Sequence, residues 1–196
     1  MASRDCAYLR SAKDINHRLG DDYDHGGRID GYLALIEHLK GNFTHAETGY
    51  VEALKKLFEV GNLRAQSIFV CHLADLHMKR EKFKEATESI QTSRALAHES
   101  NHPELVQHAR LSEGHLFRLQ RNYTEATRAY LEVVKFSREK ELRSLEADAL
   151  SEQSRLALDL GDYQTARYRA VKALHIANEL VLGLRQTHDL VGTGIG

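Results

Sequence analysis

Apolar residues return along this chain in steps of three and four, and short polar breaks cut the pattern at nearly even intervals. Over 43–57 the recurring positions are Phe43, Ala46, Tyr50, Leu54 and Leu57; over 28–40 they are Ile29, Tyr32, Leu33, Ile36 and Leu39. Side chains so spaced share one stripe of an α-helix, so the two stretches read as a helical hairpin. Equivalent hairpins are predicted over 63–80 with 83–100, 103–120 with 123–140, and 142–160 with 163–181. An earlier helix, roughly 4–19, carries Tyr8, Ala12, Ile15 and Leu19 on one face. The breaks have turn chemistry. GDDYDHGG over 20–27 reads as a solvated turn, Asn42 is placed to cap the helix after it, Gly61 to end that helix, and Pro103 to open another in its first turn. No glutamate stands where a calcium loop needs one after Asp22, Asp24 and Gly26.

The hairpins are copies of one another. GNFTHAETGY from Gly41, EKFKEATESI from Glu81, RNYTEATRAY from Arg121 and GDYQTARYRA from Gly161 start 40 residues apart, each with an aromatic in third place and alanine in sixth. The first helices answer with small residues at Ala34, Ala74, Gly114 and Ser154. Alanine against a small residue is what two closely crossing helices require. A shift of 41 rather than 40 aligns Leu9 with Tyr50, Ala12 with Ala53 and Gly20 with Gly61, so the chain opens inside a unit. A period this regular means stacked units. The expected architecture is all-α: a right-handed superhelical array of antiparallel helical hairpins, one repeat domain over 1–196. It comprises a partial unit 1–20, repeats at about 21–61, 62–101, 102–141 and 142–181, and a partial unit 182–196 in which Gly194 keeps the small-residue register. Both ends read as cut from a longer array, and Leu182, Leu184, Leu190 and Val191 form an apolar edge that a second copy could cover.

Composition narrows the partners. With 27 Lys and Arg against 28 Asp and Glu the net charge is -1, which offers no basic surface to nucleic acid or anionic lipid. No apolar run reaches membrane-spanning length and the first residues lack a secretory core, so the chain is read as soluble and cytoplasmic. In that setting Cys6 and Cys71 are reduced thiols, and Asn42 and Asn122 are helix starts rather than glycan acceptors.

The Leu33-Ala34, Ala46, Tyr50 and Ala53 set resembles the tetratricopeptide repeat family, as do Leu73-Ala74 with Ala86, then Gly114, Phe117, Ala126 and Tyr130, and more weakly Ser154, Ala166 and Ala173. The period exceeds the family's usual one of about 34, tryptophan is absent and no proline closes a unit. The longer period looks like the variant found in helical domains of some bacterial transcription activators, peptide-sensing regulators and spindle-orientation adaptors. The resemblance implies that first helices line a concave groove holding a peptide or a partner's helix. On that basis the groove residues are Arg28, His38, His72, Asp75, His108, His115, Arg118 and Arg155, with arginines and histidines meeting carboxylates or carbonyls and Asp75 accepting a donor. A charge-reversing Arg118→Glu, Arg155→Glu pair is then expected to weaken binding without lowering stability.

Twelve histidines raise a metal alternative. His98-Glu-Ser-Asn-His102 spells the zinc-protease pattern, but Asn101 and Pro103 mark a turn that would splay the two histidines; His72, Asp75, His108 and His115 are a second group on neighbouring first helices. Neither has a complete ligand set, so no metal or cofactor is assigned. Nor is there a Gly-x-Ser-x-Gly, a phosphate-binding loop or a paired cysteine signature. The sequence therefore reads as a non-catalytic scaffold binding a protein or peptide. The alternative is a regulatory repeat domain responsive to a metal or small ligand.

Overall fold

The structure is a computed structural model that describes the backbone of residues 2–192 and the side chains of residues 6–183. Among the described residues there are nine helices and no strand: α1 (Ala2–Arg18), α2 (Tyr23–Leu39), α3 (Phe43–Glu59), α4 (Leu63–Lys79), α5 (Phe83–Glu99), α6 (Pro103–Leu119), α7 (Tyr123–Glu139), α8 (Arg143–Asp159) and α9 (Tyr163–Gly192). The molecule is an all-α array of repeated helical hairpins. From α2 onward each helix starts 20 residues after the last, half the sequence period. Contacts divide the chain into two compact units, Met1–Ser112 and Glu113–Gly196.

The even spacing comes from one stop signal used at every turn. The residue two places before each helix from α2 to α9 has positive φ: Asp21, Gly41, Gly61, Glu81, Asn101, Arg121, Glu141 and Gly161. The N–H that follows bonds back five residues, Asn42 to Glu37 O at 2.9 Å, Lys82 to His77 O at 2.9 Å and Asn122 to Phe117 O at 2.8 Å. This is the Schellman closure, which satisfies orphaned carbonyls at a helix end. Side-chain caps follow at Asp22, Asn62, Asn122 and Asp162. Asn42 departs from expectation: it holds the cap position, but its amide donates to Glu37 Oε2 at 2.7 Å instead.

Within the first unit, Ala46, Tyr50 and Leu57 of α3 meet Ala34 of α2 and Ala65, Phe69 and Leu76 of α4 in one core. Here the buried stripe of α2 differs from the one the apolar pattern predicts. Gly26, Gly27, Asp30, Gly31, Ala34 and His38 are buried, whereas Tyr32 and Leu39 are 45% and 73% exposed. The partners dictate this. A Cβ on Gly27 would lie 2.8 Å from Leu57 Cγ and one on Gly31 would lie 2.3 Å from Phe69 Cζ, so the large core groups come from α3 and α4 and α2 must be small against them. Accordingly α2 begins at Tyr23, and Gly26 and Gly27 belong to its first turns, not to a loop.

Asp30 ties three helices together, accepting from Lys13 of α1 and Lys56 of α3 at 2.7 Å each. Burial opposes its ionisation, but hydrogen bonds from the two lysines and their charge win, holding the carboxyl below its ordinary range. On α1 the packed positions are Cys6, Leu9, Ala12 and Asn16, while Tyr8, Ile15 and Leu19 are exposed. The shift of 41 gives this face; the expected stripe of Tyr8, Ile15 and Leu19 is on the outside. In the hairpin of α4 and α5, Ser67 and Ser93 hydroxyls each donate to the other's carbonyl at 2.9 Å, both within the core.

In the second unit Ala126, Ala129, Tyr130 and Val133 of α7 pack with Leu145, Ala149 and Leu150 of α8, and Ala166, Ala173 and Ile176 of α9 complete the core. Gly114 admits the Tyr130 ring, since a Cβ there would be 2.6 Å from Cε1. Ser154 donates to Ala166 O at 2.8 Å, so the small residue and the alanine of the motif touch through a hydrogen bond. No turn falls at Val181; α9 continues to Gly192. Of the proposed apolar edge, Leu182 is exposed, the side chains of Leu184, Leu190 and Val191 lie outside those described, and Gly194 lies outside the described residues.

Candidate functional site

Three of the groove candidates meet around Tyr50. His38 in the last turn of α2 is 2% exposed, so it belongs to the core and does not line an open surface as expected. Its Nδ1 is 3.3 Å from Tyr50 Oη, and its Nε2 is 3.0 Å from Lys79 Nζ and 3.4 Å from Asp75 Oδ2. Because an ammonium can only donate, Nε2 is the acceptor, and the imidazole proton sits on Nδ1 facing Tyr50. Asp75 receives its charge partner from Lys79 at 3.0 Å, one turn along α4. Burial and the Lys79 charge keep His38 neutral by pushing its pKa down against the pull of Asp75. The Tyr50 phenol is pushed up by burial and by the same carboxylate.

His72 lies on the other side of this cluster. Its ring stacks on Tyr50, centroids 6.3 Å apart and planes at 15°, and Phe69 stands 6.4 Å away. Burial foremost pushes its pKa down to about 4, with help from His38, His108 and Lys79. It then lines a recess of about 240 Å³ with Ser67, Ile68, Cys71, Leu105 and His108. Both walls, α4 and α6, are first helices of their hairpins. The Cys71 thiol is pushed up by burial and lies 3.2 Å from Ser112 Oγ. This is the reverse of an activated nucleophile.

Arg118 and Arg155 converge in the second unit. Both reach Glu152, Arg155 Nη1 at 2.6 Å and Arg118 Nε at 3.7 Å, while Arg118 Nη1 donates to Asp159 at 2.8 Å and Tyr130 Oη donates to Glu152 at 3.5 Å. The Arg118 side chain is only 13% exposed. These residues repeat the first unit's cluster two periods on: His38 becomes Arg118, Tyr50 becomes Tyr130, His72 becomes Glu152, Asp75 becomes Arg155 and Lys79 becomes Asp159. The buried tyrosine is kept, and the charges at the last two places reverse.

Two candidates stand apart. Arg28 is exposed and paired with Asp24 at 3.4 Å, and His115 is half-buried on α6. Sequence reading missed Tyr50, Tyr130, Glu152 and Lys79 as parts of the clusters. Applying the period to the candidate residues themselves would have found them. At the zinc-protease pattern α5 ends at Glu99, Asn101 has a φ of 57° and His102 pairs with Glu104 at 2.9 Å, so the turn stands between the two histidines. Among the described residues no group of three or more His, Cys, Asp and Glu side chains is placed to hold a metal ion. No described helix is long and apolar enough to cross a membrane.

No protein-family model matches the chain, and no curated protein matches it. Among solved structures it is similar to the crystal structure of BtubC (BKLC) from P. vanneervenii, with a TM-score of 0.68 over 91% of this chain and 74% of that one. The two sequences are 19% identical, so the likeness is one of fold.

Proposed function

We propose that the chain is a non-catalytic, cytoplasmic scaffold of the tetratricopeptide type that binds a peptide or partner segment. The supporting observation is the recess of His72 and His108 on the first-helix face of α4 and α6. Ile68, Cys71 and Leu105 give it an apolar wall sized for one partner side chain. The neutral His72 imidazole has one donor and one acceptor for a partner's backbone, and Asp75 with Lys79 lies beside it. Such a site binds by fit and hydrogen bonding and needs no net charge, in keeping with the -1 balance of the chain.

Selection from a random peptide library displayed on phage tests this. Peptides enriched on the wild-type chain should be released by His72→Glu and His108→Glu, with helical content and unfolding midpoint unchanged. Enriched peptides that bind both variants as well as the wild type would move the site elsewhere, and failure to enrich any would remove the reading.

A further inference from the structure

We infer that the second unit carries a separate pocket for a donor-bearing aromatic side chain of a partner, best filled by the indole of tryptophan. A recess of about 180 Å³ opens between α7, α8 and α9, lined by Leu131, Leu156, Ala157, Thr165 and Arg169, with Gln153 among them. Its existence follows from the repeat register. The place of Ala157 is held by Phe117, His77 and Glu37 in the preceding units, and the place of Arg169 by Ala129, Ser89 and Gly49. In this unit the bulky residue has moved from the floor to the lip. A pocket of about 150 Å³ with apolar walls already admits a benzene ring, so this one accommodates a single ring system.

The polar group inside it selects the ligand. Gln153 Oε1 is shielded from solvent and has no hydrogen-bond partner among the described residues. An acceptor in that condition favours a ligand that brings one donor and otherwise apolar surface. Indole does this: its N–H donates and no acceptor is left unpaired beside the leucines, while its π-face suits the Arg169 guanidinium at the lip. Phenylalanine leaves Gln153 unsatisfied. The pocket rests on the scaffold reading only in taking the indole from a partner protein, and it lies in a different unit from the recess of His72 and His108.

The chain contains no tryptophan, so N-acetyl-tryptophanamide, excited where tyrosine does not absorb, reports its own binding. The expected result is a saturable blue shift and rise in anisotropy. Binding should weaken about tenfold or more when the indole nitrogen is methylated, the loss that follows when a buried acceptor goes without its donor. N-acetyl-phenylalaninamide should compete only weakly. Gln153→Met should make the methylated and unmethylated probes equal, and Ala157→Phe, restoring the residue of the preceding unit, should abolish binding. If Ala157→Phe unfolds the chain, Gln153→Met decides. Absence of saturable binding, equal affinity for both probes on the wild type, or an N–H preference that survives Gln153→Met would overturn the inference. None of these results bears on the phage selection, which reads the other unit.

Discussion

Gly31 offers the sharpest test of how this array packs, because two large effects of opposite sign meet there. Replacing a helical glycine by alanine ordinarily stabilises by about 0.5–1 kcal/mol, through lost freedom in the unfolded chain. At Gly31 the added methyl would lie 2.3 Å from Phe69 Cζ and 2.5 Å from both Cε atoms. Favourable carbon contacts begin near 3.5 Å, so the ring must retreat by roughly an ångström. It has nowhere to go: Phe69 is 1% exposed, with Tyr32 edge-on at 5.3 Å, Tyr50 at 6.4 Å and His72 at 6.4 Å. Overpacking of this kind costs about 1–3 kcal/mol or more, so the clash wins and Gly31→Ala should lose about 2 kcal/mol net.

Gly26 is the control. It is also buried in α2, but its added methyl would meet only the Asn16 amide tip at 3.0 Å and the end of Lys56 at 3.7 Å, which can swing aside. Gly26→Ala should therefore be neutral or slightly stabilising. Urea unfolding followed by circular dichroism should place the Gly31→Ala midpoint about 1 M below wild type, given slopes of about 1–3 kcal/mol/M. Phe69→Leu should remove most of the penalty in the double variant, a coupling that the double-mutant cycle isolates. If Gly31→Ala and Gly26→Ala unfold together, or the cycle shows no coupling, the account of the small stripe on α2 is wrong.

Other consequences are equally specific. His72 titrates far below its unfolded value near 6.5, so the stability it supports is complete above that pH and is lost as pH falls toward about 4; His72→Gln should flatten that part of the stability profile. Asp30→Asn should cost about 1–2 kcal/mol, the two lysines being partly solvated, and should raise amide exchange along α1 before the rest of the unit. Arg118→Glu should destabilise by about 2–3 kcal/mol by thermal melt, since it puts a third carboxylate between Glu152 and Asp159; the charge-reversal pair thus cannot serve as a silent binding probe. Arg121→Gly should raise the midpoint, gaining about 0.5–1 kcal/mol by relieving a φ of 61°.

What the sequence disclosed depended on which forces leave a periodic trace. The forty-residue motif was legible because the Ala46, Ala86, Ala126 and Ala166 sites repeat one steric demand, and each is 3% exposed or less. The start of α2 was not, because glycines that signal a turn by composition are used there for close contact with Leu57 and Phe69, and a single chain does not distinguish the two uses. Helix ends at Glu81, Arg121 and Glu141 carry no glycine although each adopts the left-handed conformation, so the period located them where composition did not. Among the site candidates, His38 misled because the apolar pattern pointed α2 the wrong way round, turning a core histidine into an expected groove residue.

The same register also explains why the candidates divided as they did. A buried tyrosine between two first helices needs a polar partner for its hydroxyl, and its neighbours must then balance their own charge in a poorly solvated place. At Tyr50 the partner is the neutral His38, and Asp75 is answered by Lys79. At Tyr130 the partner is the ionised Glu152, which calls in Arg118 and Arg155, and Asp159 then answers Arg118. Once the residue at the place of His72 becomes a carboxylate, cations are favoured where His38 and Asp75 stood, and the Lys79 place turns acidic. The clusters are two internally neutral solutions to one packing problem, so their charged residues are explained by the fold. Surface left over for binding is found where a cluster opens outward, at the free side of His72, or where the register omits a side chain, at Ala157.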